Sequence, residues 1–102
     1  MARPRTELHA ILKGLDGVKD AYFQPPGNQK LEYPCITYSQ DDSFNLHADN
    51  RSYWYKKRYS VIVIDRNPDS LIPDLVEELP LTRFDRRYIT VGLYHTAFNL
   101  FF

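Results

Sequence analysis

The segment Lys56 to Asp69 (KKRYSVIVIDRNPD) constrains the fold more than any other part of the chain. It contains the β-branched run Val61 to Ile64, which packs well in a pleated strand and loses little side-chain freedom there. Because side chains alternate across a strand, this run presents apolar residues on both faces. Such a strand is predicted to lie in the middle of a sheet, covered on each side. Polar residues and Pro68 end it, and we expect a helix to follow.

Length and composition limit the class of protein. A chain of 102 residues is predicted to form a single domain with one modest core. Thirteen basic and thirteen acidic residues give a net charge of zero, so general attraction to nucleic acid or to anionic membranes is not expected. The single cysteine, Cys35, lies in an apolar strand and is predicted to be buried and inert. We expect neither a signal peptide nor a membrane-spanning segment.

Hydrophobic spacing predicts two amphipathic helices. The first is expected within residues 5–15, with Thr6 as its N-cap. The second is expected after Ser70, a candidate N-cap, and ends at Pro80. The apolar positions are Leu8, Ile11, Leu12 and Leu15 in the first helix and Leu71, Ile72, Leu75, Val76 and Leu79 in the second.

The remaining elements are predicted to be strands. A short extended piece is expected within residues 18–23, and a strand over residues 35–40 forms a hairpin with the central strand. Residues 84–102 predict a second hairpin with Gly92 in its turn. The aromatic chain end is expected to dock, in its own sheet or in a neighbour's. The expected fold is α+β, in the order α-β-β-β-α-β-β, with four main, largely antiparallel strands and two helices packed on one face.

Residues 41–52 follow neither a helical nor a strand period. They predict an extended loop at the tip of the first hairpin. A loop of this length in so small a domain is usually functional or mobile. The function of the chain is therefore expected to involve this region.

Catalytic and metal-binding patterns are not evident in the sequence. The three histidines and Cys35 fall on different predicted elements, which does not suit a metal site. Residues 65–69 resemble the start of a calcium loop, but Ser70 stands where glycine is needed and Val76 where glutamate should close the shell. A helix-capping turn is the better interpretation. Neither a nucleophile elbow nor a glycine-rich phosphate loop is present, so we predict no enzymatic activity and no cofactor.

One stretch, residues 51–59 (RSYWYKKRY), combines aromatic and basic side chains. Such a combination is typical of single-stranded nucleic-acid binding, in which bases stack on rings and cations follow the phosphates. On a strand, however, Trp54, Lys56 and Arg58 would share one face and the tyrosines with Lys57 the other. Mixed faces of this kind also suit a sheet edge or a subunit contact. A small module that binds single-stranded nucleic acid through residues 51–59 is therefore the alternative function.

Four motifs together carry a resemblance to a known family. They are Tyr59 to Ser70 (YSVIVIDRNPDS), Leu79-Pro80, Phe84-Asp85-Arg86, and Gly92-Leu93-Tyr94-His95 continuing through Phe98. With them the chain resembles, over nearly its whole length, the small tail-completion or tail-terminator proteins of long-tailed bacteriophages. These are structural residues without chemistry of their own. The resemblance implies an α+β virion protein that assembles as a six-fold ring, caps the finished tail tube and joins it to the connector beneath the capsid.

The resemblance also implies partners, a location and a role for the loop. The partners would be further copies of the chain, the tail tube protein, the head-tail connector proteins, and DNA that passes through the channel without sequence-specific binding. The protein would reside in the virion at the head-tail interface, after assembly in the host cytoplasm. Strand edges and the loop would supply the ring contacts. The implied interface or channel residues are Asp41, Asp42, Phe44, Leu46, Asp49, Arg51, Tyr53 and Trp54, with Phe98, Phe101 and Phe102 as contacts of the C-terminal strand.

Overall fold

The structure is a computed structural model that describes residues 4–48 and 51–102, with the backbone alone for residues 41–48 and 51–56. Two helices and five strands follow one another along the chain. They are α1 (Arg5–Lys13), β1 (Asp20–Phe23), β2 (Cys35–Ala48), β3 (Arg51–Asp65), α2 (Ile72–Glu77), β4 (Thr82–Thr90) and β5 (Leu93–Phe101). The α+β class predicted from the sequence is confirmed.

All five strands form one mixed sheet in the order β1-β2-β3-β5-β4. The prediction of four main strands is corrected by β1, which pairs parallel to β2 and places Asp20 opposite Cys35. The other neighbouring strands are antiparallel. β3 lies at the centre of the sheet, as its two apolar faces predicted.

The two helices pack on the same face of the sheet. Their buried residues join one hydrophobic cluster with inward-facing residues of the strands: Leu8, Leu12, Ala21, Ile36, Tyr38, Tyr59, Val61, Val63, Ile72, Val76, Phe98, Leu100 and Phe102. On the opposite face of β3, Ile64 is buried but Ile62 is only half-buried. The central strand is therefore fully covered on the helix side and only partly covered on the other side. The sequence had predicted cover on both sides.

α1 buries the predicted stripe but begins earlier than predicted. Leu8 and Leu12 are fully buried on the sheet. The N-cap is Pro4, and Thr6 lies within the first turn, so the prediction of Thr6 as N-cap is wrong. Proline at this position has a φ of −59°, which suits the entry into a helix.

α2 is shorter than its hydrophobic pattern suggested. It begins at Ile72, and its N-cap Leu71 is 72% exposed, so the predicted burial of Leu71 is wrong. The buried residues of α2 are Ile72 and Val76, and the helix ends at Glu77. The hydroxyl of Ser70 accepts a hydrogen bond from the Ile72 N–H at 3.3 Å, one position before the N-cap.

The turn between β3 and α2 is built from side-chain hydrogen bonds. Asp65 Oδ1 accepts a bond from the Asn67 N–H at 3.1 Å, and Asn67 Oδ1 accepts one from the Asp69 N–H at 3.0 Å. Each closes an Asx turn, in which the side chain replaces a backbone acceptor. The segment is a turn, as predicted, but it does not cap α2, because the N-cap of that helix is Leu71 and has no side-chain cap hydrogen bond.

The second hairpin has a turn of two residues, Val91 and Gly92, with φ values of 50° and 72°. Positive φ at both positions defines the type I′ turn that matches the twist of paired strands. The prediction of Gly92 in the turn is confirmed. At the other end of the hairpin, Phe102 exchanges backbone hydrogen bonds of 2.9 and 3.1 Å with Lys57. The chain end therefore docks in its own sheet.

Candidate subunit interface

The β2–β3 hairpin extends well beyond the other strands. β1 pairs with β2 only as far as Tyr38, and β5 pairs with β3 only from Arg58 onward. The ladder between β2 and β3 continues to the pair Ala48 and Arg51. We call this two-stranded part, residues 41–48 and 51–56, the arm. At about 3.3 Å per residue it adds roughly 20 Å to the sheet, in agreement with overall dimensions of 48 × 24 × 23 Å.

The arm corrects the prediction of a loop over residues 41–52. Its backbone is strand as far as Ala48 and again from Arg51. The ladder shifts register between Gln40 and Asp42 and again between Leu46 and His47. Residues 43–48 (SFNLHA) nevertheless alternate polar and apolar residue types, as expected of a strand. Polar residues flank this short alternation on both sides, and the prediction of a loop missed it.

The structure places most of the implied interface residues on the arm. Asp41, Asp42, Phe44 and Leu46 are on its β2 half, Arg51, Tyr53 and Trp54 are on its β3 half, and Asp49 lies outside the described residues. Register brings Leu46 opposite Trp54 and Phe44 opposite Lys56. Residues directly opposite each other belong to the same face of a ribbon.

The implied contacts of the C-terminal strand have a different environment. Phe98 and Phe102 are buried within the chain's own hydrophobic core. Phe101 alternates to the opposite face of β5 and is half-buried. Of these three residues, Phe101 therefore has the most accessible side chain.

A two-stranded ribbon is marginally stable in water, and a third strand or a packed helix is usually needed. Within the described sheet the arm has no third strand, because β1 and β5 have both ended before it. Its outer backbone groups are thus available to a strand from another molecule. This geometry suits an element that is completed by assembly.

At the opposite edge of the sheet lies β4, the most exposed strand in the described part of the chain. Its residues are exposed except for Thr82 and Tyr88, which are half-buried. Phe84 and Ile89 are 49% and 63% exposed, although both residue types usually favour the interior. Large apolar residues on an open edge strand mark a contact surface. We did not identify this surface from the sequence, where the signal was a strand rich in both arginine and apolar residues.

Arginines line the same edge and lie against aromatic rings. The Arg86 guanidinium is 5.6 Å from the centroid of the Tyr88 ring, and Tyr88 stacks on His95 with centroids 4.8 Å apart. Arg87 lies 5.8 Å from the ring of Tyr94 and donates a 2.6 Å hydrogen bond to the carbonyl oxygen of Pro68. These contacts hold the side chains along the strand and leave their positive charge at the surface.

A cleft of about 380 Å³ separates α2 from β4. Its rim carries the carboxylates of Asp69, Asp74 and Glu77, and its floor includes Val63 and Phe98. Among the described residues, no three His, Cys, Asp or Glu side chains cluster closely enough to hold a metal ion. The cleft offers an acidic rim over an apolar floor.

Cys35 is fully buried, as predicted. Burial raises the pKa of its thiol to about 12, and the negative charges of Asp20 and Asp65 contribute to this increase. The thiolate is the reactive form of cysteine, so this side chain is poorly suited to nucleophilic chemistry near neutral pH.

A polar cluster that we did not predict from the sequence fastens α1 to the sheet. Arg5 donates a 3.0 Å hydrogen bond to the hydroxyl oxygen of Tyr38, and the same oxygen lies 2.6 Å from His9 Nδ1. The Arg5 guanidinium also lies 4.3 Å from the centroid of the Phe23 ring. Because Tyr38 is buried, these contacts satisfy a polar group at the edge of the core.

The fold and the two sheet edges define a small α+β protein with a projecting β-arm at one edge and a basic, partly apolar strand at the other. Comparison with models of known protein families, with curated proteins and with solved structures found no match. None of the helices in the described part of the chain is long and apolar enough to cross a membrane.

Proposed function

We propose that this protein is a non-enzymatic structural subunit of a bacteriophage virion, a tail-terminator or tail-completion protein that acts at the head-tail joint. Copies of the chain assemble into a hexameric ring. The ring ends the tail tube and joins it to the head connector, leaving a channel through which DNA passes. The single observation that carries this proposal is the projecting arm on a sheet whose opposite edge is also open.

Ring assembly requires two different surfaces on each subunit, so that one surface of a chain meets the other surface of the next. The outer β2 edge of the arm and β4 meet this requirement, because β3 and β5 lie between β2 and β4 in the sheet. A single self-complementary patch would instead give a closed dimer. Two unlike edges therefore support a ring more than a two-fold pair.

The charge of the chain suits a channel through which DNA slides. A net charge of zero gives no bulk attraction to phosphates. Acidic side chains that face the channel would repel the DNA backbone and so let the DNA slide. The tail tube protein and the connector proteins would meet the two flat faces of the ring.

Light scattering of the purified protein, measured over a range of protein and salt concentrations, tests the proposal. We expect a hexamer that tolerates salt, because backbone pairing and apolar burial do not depend strongly on ionic strength. We also expect its mass to be unchanged by a single-stranded oligonucleotide. Negative-stain electron microscopy should show rings with a central opening.

Two outcomes would contradict the proposal. A closed dimer would show that the interface is self-complementary. A monomer that binds the oligonucleotide, with affinity falling steeply as salt rises, would favour the alternative, in which residues 51–59 bind single-stranded nucleic acid.

A further inference from the structure

We propose that the arm of one subunit docks on the β4 edge of the next, so that the outer edge of β2 adds a strand to the neighbour's sheet. This junction rests on the ring assembly proposed above and identifies the two surfaces that meet. The partner is a second copy of the same chain. The backbone, length, charge and apolar residues of the two edges support this junction.

The backbone of β4 can accept a further strand. Leu81 O accepts a 3.1 Å hydrogen bond from the Phe101 N–H, which fixes the side of β4 that faces β5. From there along β4, the backbone groups of successive residues point alternately toward β5 and away from it, except at the irregularity between Phe84 and Arg86. The peptide groups of Phe84, Arg87 and Ile89 consequently point away from β5, toward the open edge. A strand that approaches this edge finds a row of unused donors and acceptors.

The outer edge of β2 offers the complementary row. At its base this edge is covered, because the Gln24 N–H donates to Tyr38 O at 2.8 Å and the Gln40 N–H donates to Gln24 Oε1 at 3.3 Å. Beyond Gln40, β2 continues to Ala48 without a described strand on its outer side. This free segment, residues 41–48, is close in length to the nine residues of β4. The two edges can therefore pair over nearly their whole lengths.

The charges of the two edges are opposite. β4 carries Arg83, Arg86 and Arg87 against a single carboxylate, that of Asp85. The free segment of β2 contains two aspartates and neither lysine nor arginine. Opposite charges across a strand pair are favourable, and they select the partner more than they set the affinity. Pairing of β4 with β4, or of β2 with β2, would bring like charges together.

Apolar residues occur on both edges. Phe84 and Ile89 are exposed on β4, and Phe44 and Leu46 belong to the free segment of β2. Pairing the two edges would remove apolar surface of β4 from water, which stabilises the contact. The energy of the junction therefore comes mainly from backbone pairing and burial, with charge setting its orientation.

The arm cannot reach β4 of its own chain. β3 and β5 lie between β2 and β4 in the same sheet, so the two edges face in opposite directions. Only another molecule can bring the two edges together. Repetition of this contact is head-to-tail, which is the type of contact that a ring requires.

Ile89→Pro tests the junction without breaking the subunit. Proline removes an outward-facing N–H and leaves the hydrogen bonds between β4 and β5, so an edge strand tolerates it. The matched variant Ile89→Ala retains that N–H and loses only the side chain. Light scattering should show that Ile89→Pro is a monomer at the protein and salt concentrations at which the wild type assembles. Ile89→Ala should still assemble, at a protein concentration no more than about tenfold higher than the wild type requires. Circular dichroism confirms that both variants are folded.

Complementation between two defective chains gives the sharper test. In an arm-shortened variant, Asn-Gly replaces residues 45–55 and joins the register partners Phe44 and Lys56 in a two-residue turn. This chain retains β4, whereas Ile89→Pro retains the arm. Each should be monomeric alone, and their mixture should form a dimer containing one copy of each, because only one junction can form and it cannot propagate.

The outcomes separate the junction from the proposed function. If the wild type forms rings and Ile89→Pro forms them equally well, the arm docks elsewhere, and the junction is refuted while the ring stands. Rings of wild type without the mixed dimer would also refute the junction. If the wild type stays monomeric at every concentration and no mixed dimer forms, both the ring and the junction are refuted.

Discussion

Replacing Val91 by asparagine should stabilise the protein, because valine is poorly suited to its position in the β4–β5 turn. Val91 has a φ of 50°, in the left-handed region. The following residue, Gly92, also has positive φ but carries no Cβ and tolerates it. A β-branched side chain at positive φ is rare, whereas asparagine adopts this conformation several times more often than most residues.

The magnitude follows from the backbone and from the exposure of the side chain. The left-handed conformation costs an ordinary L-residue about 1–2 kcal/mol, and asparagine avoids part of this cost. Val91 is 93% exposed, so its replacement sacrifices almost no apolar burial. We expect the free energy of unfolding to increase by about 1 kcal/mol, which corresponds to a rise in Tm of about 4–8 °C for a domain near this size.

Thermal and urea unfolding, followed by far-ultraviolet circular dichroism, measure the change. The control is Val91→Thr, which keeps the β-branch and replaces the apolar surface with a hydroxyl. It should leave the stability nearly unchanged. An equal gain for Val91→Thr would show that exposed apolar surface, and not backbone strain, limits stability at this turn. No gain for Val91→Asn would refute the reasoning altogether.

Three further predictions concern the core and its edge. Phe98→Ala should lower the free energy of unfolding by about 3–5 kcal/mol, because it leaves a cavity in the core. The matched variant Phe84→Ala, at the exposed cross-strand partner, should lower it by about 1 kcal/mol or less. Chemical denaturation measures both changes. Tyr38→Phe should cost about 1–3 kcal/mol by the same assay, since it removes the hydroxyl that joins α1 to the sheet, and an unchanged stability would contradict a structural role for that hydroxyl. Cys35 should react with an alkylating agent at about pH 8 only as fast as the protein unfolds, and rapid labelling of the native protein would contradict its burial. Because folding raises the pKa of this thiol from 9.0 to about 12, its contribution to stability is complete below pH 9 and declines as the pH rises toward 12. Unfolding measured across this range should therefore be more pH-dependent for the wild type than for Cys35→Ala.

In the proposed ring, the distribution of charge would give a direction to the contact between copies of this neutral chain. The overall balance of thirteen positive and thirteen negative residues conceals a basic edge at β4 and an acidic free segment on β2. Two copies placed head to tail would bring the basic and the acidic edge together. Pairing of β4 with β4, or of β2 with β2, would not. Charge of this kind gives specificity to a contact whose energy comes from other sources.

Exposed strand edges also carry a risk of uncontrolled aggregation. β4 contains an irregularity in its register near Asp85, and arginines flank that position. Irregular pairing and charge are devices by which natural sheets discourage unwanted pairing. An acidic partner strand would overcome the charge, while a second β4 would not.

Local features of the fold were predictable because they depend on neighbouring residues. Leu8 and Leu12 are spaced for one face of a helix, and both are buried. Gly92 marked the hairpin turn, where positive φ excludes most other residues. The alternation of Val61 and Val63 with Ile62 and Ile64 indicated the central strand, which needs no information from distant residues to be recognised.

Features that depend on distant pairing were missed or only partly predicted. β1 joins the sheet through a parallel ladder with β2, across a connection that showed no pattern in the sequence. The arm was predicted as a loop because its polar-apolar alternation covers only residues 43–48 and is flanked by polar residues, while its pairing with β3 is a tertiary contact. The exposure of Phe84 and Ile89 follows from the position of β4 at the sheet edge, which no residue of β4 specifies by itself.

By itself, then, the sequence determined the α+β class, the central position of β3, the apolar faces of the helices and the buried thiol, because hydrophobic period and residue type act over a few neighbouring positions. Only the tertiary structure decided which strands lie at the edges, where β1 and β5 end beside β2 and β3, and hence which backbone groups stay open to a partner. Strand order is a property of contacts between residues far apart in the chain, and those contacts are set by the packing of the whole sheet against its helices.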